Sequence, residues 1–138
     1  MRLLDTNVLI YARTKDSPFR QWATEELVDA VSGDGAFLSA VSLAELCAAA
    51  EHPETVAAEV RALGVGLLDL PAAAAARCGE AYAHYRAARR AESGKDSPVM
   101  PLADFFVGAH AELLGVDLVT NDVARYKIYF PKVQLRTP

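Results

Sequence analysis

Four short apolar runs, residues 2–4, 36–39, 65–70 and 116–120, are separated by segments long enough for one or more helices, and a fifth run follows at 133–135. Strands that alternate with helices pair in parallel through right-handed crossovers. The pattern therefore predicts an α/β fold of three layers, a central parallel sheet with helices on both faces. The helical segments carry their own signals. Asn7-Val8-Leu9-Ile10-Tyr11 has helix-compatible spacing, and Ser17-Pro18 is an N-cap and first-turn pair for a helix bearing Phe19, Trp22, Ala23, Leu27 and Ala30, ended by Gly33-Asp34-Gly35. Leu43, Leu46, Cys47 and Ala50 share a face of the next helix, and another runs from about Glu54 to Gly64. Pro71 opens a long alanine-rich helix to about Glu92, residues 93–98 read as a loop, and Leu102, Phe105, Phe106, Ala109 and Leu113 mark a last stripe stopped by Gly115.

No repeat or Gly/Ser-rich linker interrupts the 138 residues, which are expected to form a single domain, 1–138. A chain of this length buries roughly 68–70% of its unfolded surface and needs no disulfide or structural metal to fold. The 52% hydrophobic share contains 26 alanines, so it signals helix and close packing rather than a greasy chain. The longest charge-free stretch, 35–44, is far short of the ~20 residues that span a bilayer, so no membrane segment is expected. Met1 to Asp5 has no signal-peptide pattern, and Cys47 and Cys78 lack ligand or redox spacing. Both points lead to the expectation of a reduced, cytoplasmic protein. His52, His84 and His110 also lack ligand spacing, and no nucleophile elbow, dinucleotide fingerprint or P-loop is present.

In open parallel sheets ligands bind beyond the carboxyl ends of the strands, where strand order reverses. Acids stand at those junctions. Asp5 closes the first strand, Glu45 lies in the helix after the second, Asp122 follows the fourth, and Asp104 is in the first turn of the helix that feeds the fourth. Separations of 40, 59 and 18 residues mean that only the fold can bring them together. Gathered in one crevice, four carboxylates would repel one another, and a divalent cation relieves this. Hard oxygen donors without a His/Cys cluster suit Mg²⁺, with Mn²⁺ able to substitute. Such a site performs in-line phosphodiester hydrolysis, and Thr6, Asn7 and Thr120 are placed to hydrogen-bond the carboxylates. A plainer reading stays open: an acid at a helix start caps the helix and complements its dipole, which alone accounts for Asp5, Asp104 and Asp122, and a surface glutamate such as Glu45 is ordinary.

Leu3-Leu4-Asp5-Thr6-Asn7-Val8-Leu9-Ile10, Leu38-Ser39 through Glu45-Leu46, and Ala103-Asp104 on to Leu118-Val119-Thr120-Asn121-Asp122 resemble, in order and spacing, the motifs of the PIN domain. The resemblance runs over essentially the whole chain and is greatest to the VapC toxins of prokaryotic toxin–antitoxin modules. It implies a PIN fold with strand order 3-2-1-4-5, Mg²⁺-dependent endoribonuclease activity, a homodimer, and inhibition by a cognate VapB-type antitoxin. Asp5, Glu45, Asp104 and Asp122 would be the acidic quartet, with Asp5, Asp104 and Asp122 as metal ligands and Asp122 the least conserved in kind. The Phe-Phe-Val-Gly-Ala sequence at 105–109 departs from a more usual aliphatic version and concerns packing only.

The net charge of −4 is unevenly spread. Between Arg20 and Arg61 there are eight acids and no Lys or Arg, a seat for a basic antitoxin, whereas Arg125 and Lys127 open a terminal stretch without acids. Arg86, Arg89, Arg90 and Lys95 form a second basic cluster. These residues are the candidate RNA-binding set, since each neutralised phosphate releases counterions; Tyr82 and Tyr85 would add base stacking or else pack at the edge of the core. Competing functions are a PIN nuclease of RNA processing that is not a toxin, an aspartyl-phosphate phosphatase, and a non-catalytic nucleic-acid-binding or receiver-like module. The phosphatase is disfavoured because the second acid it needs is Asn7.

Overall fold

Leu3 and Leu4 are both fully buried and, as neighbours on a strand, face opposite sides of the sheet, which puts β1 (Arg2–Leu4) at the centre of the molecule. The computed structural model describes residues 1–93 and 100–138. After β1 come α1 (Thr6–Arg13), α2 (Arg20–Ser32), β2 (Ala36–Ser39), α3 (Ala40–Ala48), α4 (Pro53–Ala62) and β3 (Val65–Leu68). A 3₁₀ turn (Ala72–Ala74) leads into α5 (Ala75–Ser93), then α6 (Leu102–Leu114), β4 (Asp117–Val119), α7 (Val123–Tyr129) and β5 (Leu135–Arg136). The strands form one sheet in the order β3-β2-β1-β4-β5, every pair parallel, with Leu4 opposite Leu38 on one side and Val119 on the other. This is the α/β class and strand order expected.

Each face of the sheet buries its own core. Leu3 and Leu118 pack with Cys78, Ala81, Phe105 and Phe130, on the side of α5, α6 and α7. Leu4, Leu38 and Val119 pack with residues of α1 to α4, including Leu9, Leu27 and Val60. Burying a side chain of this size contributes ~1.5–3 kcal/mol each, so neighbouring residues on three-residue strands anchor two separate layers. The chain fills β2 and β3 on one side of β1, then crosses back to β4 and β5. The strand order therefore reverses at β1, and its carboxyl end is where Asp5 stands.

The structure differs from the sequence pattern in particulars. The third strand stops at Leu68, and the alanine run begins as a 3₁₀ turn before it becomes helix. Cys47 is only half-buried, whereas Cys78 is in the core. The largest difference is α7, for which no helix was expected. Its buried side is only Tyr126 and Tyr129, one i, i+3 pair continued by Phe130, too short a stripe to stand out among Arg125, Lys127 and the exposed Ile128. Gly108 is what lets this segment dock. A Cβ there would lie 2.3 Å from Cδ2 of Phe130, so the ring packs on α6 only because position 108 has no side chain. No helix among the described residues is long and apolar enough to cross a membrane.

Candidate active site

Asp5 follows β1 and is the N-cap of α1, its Oδ1 accepting from the Thr6 amide at 2.8 Å. Its Oδ2 accepts from the Thr120 hydroxyl at 2.7 Å, across from the end of β4. The capping role foreseen is thus real, but a cap is normally at the surface, and Asp5 is 7% exposed. Burial pushes its carboxyl above the usual range, against the hydrogen bonds from Thr120 and Thr6 and the charge of Arg125, while Glu45 pushes it further up. A buried acid held ready between two donors, with other acids nearby, has the character of a site rather than of a cap.

Two threonines carry the connection outward from Asp5. Thr6, in the first turn of α1, donates its hydroxyl to Glu45 on α3, and this ties an otherwise exposed mid-helix glutamate to the crevice. Thr120, fully buried, accepts from the Asp122 amide at 2.9 Å while donating to Asp5. Asp122 occupies the N-cap position of α7 without making a side-chain cap bond; its Oδ2 instead lies 2.8 Å from Nη2 of Arg125. The same Nη2 is 3.4 Å from Oδ2 of Asp104 in the first turn of α6. The four acids, 117 residues apart at the extremes, are thereby linked through Thr6, Thr120 and Arg125 in one continuous chain of contacts.

Desolvation also raises the Asp104 carboxyl, with Arg125 opposing and Asp122 reinforcing the shift. As the side chains stand, no three His, Cys, Asp or Glu residues among the described residues converge closely enough to hold a metal ion. The donor chemistry fits a hard divalent cation nonetheless. The acids and threonines of the crevice offer carboxylate and hydroxyl oxygens, and the cation now on Asp104 and Asp122 is the Arg125 guanidinium. Asn7 is half-buried on the first turn of α1, and the Asn121 amide reaches the Tyr11 hydroxyl at 3.4 Å beside the crevice.

The basic candidates separate. Arg125 is not on a flank: its side chain is 17% exposed and turned into the acids, a placement that the spacing Asp122 to Arg125 signals only once α7 is known to be a helix. Lys127 is exposed on the outer side of α7. Arg86 and Arg89 are half-buried and Arg90 exposed, each engaged with other groups of the molecule, and Lys95 lies outside the described residues. Tyr85 is core, packed on Phe105 and Tyr129, and its hydroxyl accepts from the Met100 amide at 3.0 Å. Tyr82 meets Phe105 edge-on at 5.3 Å, so the tyrosines take the packing role rather than offering stacking faces. Met100 in turn accepts from Nε of Arg125 at 3.1 Å, which sets this part of α5 at the same end of the sheet as the acids. His110 is buried beside Ser39, 3.4 Å away, and burial holds its imidazole below the usual value.

A family model described as PIN domain matches residues 2–131. A search of curated proteins finds no match. Among solved structures, the chain is similar to FitAcB from Neisseria gonorrhoeae, with 20% identity over 100% of this chain and 98% of that one and a TM-score of 0.68. It is also similar to DNA-bound VapBC from Salmonella typhimurium, at 23% identity, 99% and 96% coverage and a TM-score of 0.65. A third likeness is to VapC20 of Mycobacterium tuberculosis, a sarcin-ricin loop cleaving toxin, at 16% identity, 97% and 99% coverage and a TM-score of 0.63. At these identities the likeness is one of fold.

Proposed function

The chain belongs to the PIN domain family, and on that premise we propose that it is a divalent-metal-dependent endoribonuclease, the toxin of a toxin–antitoxin pair acting in the cytoplasm. The observation that carries the reading is the continuous contact chain from Glu45 through Thr6, Asp5, Thr120, Asp122 and Arg125 to Asp104, at the carboxyl end of the central strand. Asp5, Asp104 and Asp122 would hold Mg²⁺, or Mn²⁺ in its place. The chemistry such an ion supplies is to make a water more acidic and to neutralise charge on the phosphate during in-line displacement.

The chain's own residues do the rest. Thr120 fixes Asp5 in one orientation and Thr6 fixes Glu45, whose exposed carboxylate faces incoming water and orients it as general base. Water adds at phosphorus, the ester oxygen leaves with a proton, and a phosphomonoester and a hydroxyl terminus result. Arg86, Arg89, Arg90 and Lys127 hold the flanking phosphates of the RNA. Replacing Arg89 and Arg90 together with Ala flattens the dependence of log affinity on log salt by about 1.4, at ~0.7 per single-strand phosphate contact; an unchanged slope removes them from the RNA path.

An open groove of about 420 Å³ between α1, α3 and α4 is lined by Leu9, Leu46 and Val56 together with Glu51 and Glu59, the latter 3.6 Å from Arg13 of α1, and suits a part-apolar segment of an antitoxin. The similar VapBC and FitAcB structures support an antitoxin partner, and a homodimer is the assembly expected. The test is cleavage of RNA with Mg²⁺ or Mn²⁺ by the wild type and by Asp5→Asn, together with growth arrest on expression. Cleavage and arrest are expected to vanish with the substitution, and cleavage with EDTA. Cleavage that survives both treatments overturns the mechanism, and cleavage without arrest overturns the toxin.

A further inference from the structure

Arg125 occupies a place that its helix does not favour. It is the third residue of α7, where the unpaired amides and the helix dipole already present partial positive charge, and a cation in a first turn is ordinarily disfavoured. What holds it there is outside the backbone. Its Nη2 is 2.8 Å from Asp122 and 3.4 Å from Asp104, its Nε bonds Met100 Sδ, and its guanidinium carbon lies 5.9 Å from the centre of the Tyr126 ring. Burial works against the charge of the guanidinium, but Tyr126, Asp104, Asp122 and Asp5 favour it, and the balance keeps it more firmly protonated than an ordinary arginine.

One positive charge therefore sits on two partly buried carboxylates that would otherwise repel each other; their side chains are 18% and 32% exposed. Nη2 contacts Oδ2 of each, and a divalent cation on Asp104 and Asp122 would draw on the same two carboxylates. Two cations on one pair of carboxylates repel, so the guanidinium and the metal cannot share the place on equal terms.

We propose that Arg125 is the built-in counter-ion of the Asp104–Asp122 pair, which a divalent cation must displace, so that this side chain sets how tightly the crevice holds metal. The inference rests on the metal-dependent reading above and deepens it. Arg125 acts through the carboxylates and is a positioning residue. It keeps the apo crevice from being torn by its own charge and it weakens metal binding in the same measure. Displacement does not carry it far, because it is tethered three residues from Asp122, and it remains a cation close to a phosphate arriving at the acids.

The experiment is a calorimetric titration of Mn²⁺ into the full chain, without RNA, for the wild type, Arg125→Gln, Arg125→Lys and Asp104→Asn, each also melted with and without Mn²⁺. Arg125→Gln is expected to bind Mn²⁺ roughly tenfold more tightly, since two competing ion pairs, to Asp104 and to Asp122, have been removed. It should melt lower than the wild type without metal and gain more from Mn²⁺. Arg125→Lys, which keeps the charge but loses the Nε contact to Met100 Sδ and the planar guanidinium near Tyr126, should fall between them and serves should the Gln variant not fold. If the wild type binds Mn²⁺ and Asp104→Asn does not, yet neither Arg125 variant binds more tightly, the inference is overturned and the nuclease reading stands. Weaker binding by both variants also overturns it, because Arg125 would then be organising the ligands. Failure of the wild type and both Arg125 variants to bind Mn²⁺ removes the metal-dependent reading itself.

Discussion

Thr120→Val is the most informative single change that leaves every acid in place. Thr120 is fully buried and of the same shape as valine, so the substitution opens no cavity and strains no rotamer. What it removes is two hydrogen bonds at once: the one donated to Oδ2 of Asp5 at 2.7 Å and the one accepted from the Asp122 amide at 2.9 Å. A bond to a charged group is worth ~1.5–3 kcal/mol and an ordinary one ~0.5–1.5. The Asp122 amide belongs to a half-buried residue and can turn to water, so most of its share is recovered, and the loss comes to about 2–3 kcal/mol. In urea, with a slope of about 2 kcal/mol per molar, the midpoint falls by about 1–1.5 M. Thr120→Ser keeps both bonds and costs only about a methyl, ~0.8 kcal/mol.

The pH dependence distinguishes a lost charged bond from poor packing. Burial already holds the Asp5 carboxyl above its ordinary value while Thr120 opposes the rise, so removing Thr120 raises it further. The variant's deficit relative to wild type is therefore full at pH values above both folded-state pKa values and shrinks as pH falls through them, where Asp5 is protonated in both proteins. Urea melts at neutral and acidic pH measure this directly. A midpoint within about 0.3 M of wild type at neutral pH, or a deficit that does not depend on pH, refutes the assignment of Thr120 as the donor that holds Asp5.

Thr6→Val should lower cleavage roughly 10–100-fold while changing the urea midpoint little, because it releases an exposed Glu45 that water can satisfy; equal losses of rate and stability would mean that Thr6 is structural. Gly108→Ala should cost about 1–3 kcal/mol or more, since the Phe130 ring already fills the space, and a melt matching wild type would show that α7 docks otherwise. His110 has a folded-state pKa below its unfolded value, so its contribution to stability is complete above about pH 6.5 and is lost as pH falls below that, when the unfolded chain takes up the proton first. His110→Gln should flatten that part of the stability profile, and an unaltered profile would count against a buried, neutral His110.

Most of the architecture is legible in the residues because it depends on local patterns of some length. Strands that carry apolar residues on both faces and helices with three or four stripe positions declare themselves, as Arg2–Leu4 and Leu102–Leu114 do. The stretch 123–129 does not, because seven residues give only Tyr126 and Tyr129 as a stripe, and its basic residues suggest a surface. The same short helix hides the role of Arg125. Read along the chain it belongs with Lys127 as a phosphate-binding candidate, and only helical spacing from Asp122 turns it inward.

By itself the sequence determined the class of fold, the strand order through its family motifs, and four candidate acids at or near strand ends, since the type and order of residues there are local properties. Only the tertiary structure decided what those acids do to one another. That Asp5 is buried, that Thr6 and Thr120 carry its contacts to Glu45 and Asp122, and that a guanidinium stands on Asp104 and Asp122 all depend on distances across a sheet whose neighbouring strands are up to 115 residues apart along the chain. Electrostatic interaction falls with distance and strengthens with burial, and neither quantity exists until the chain has folded.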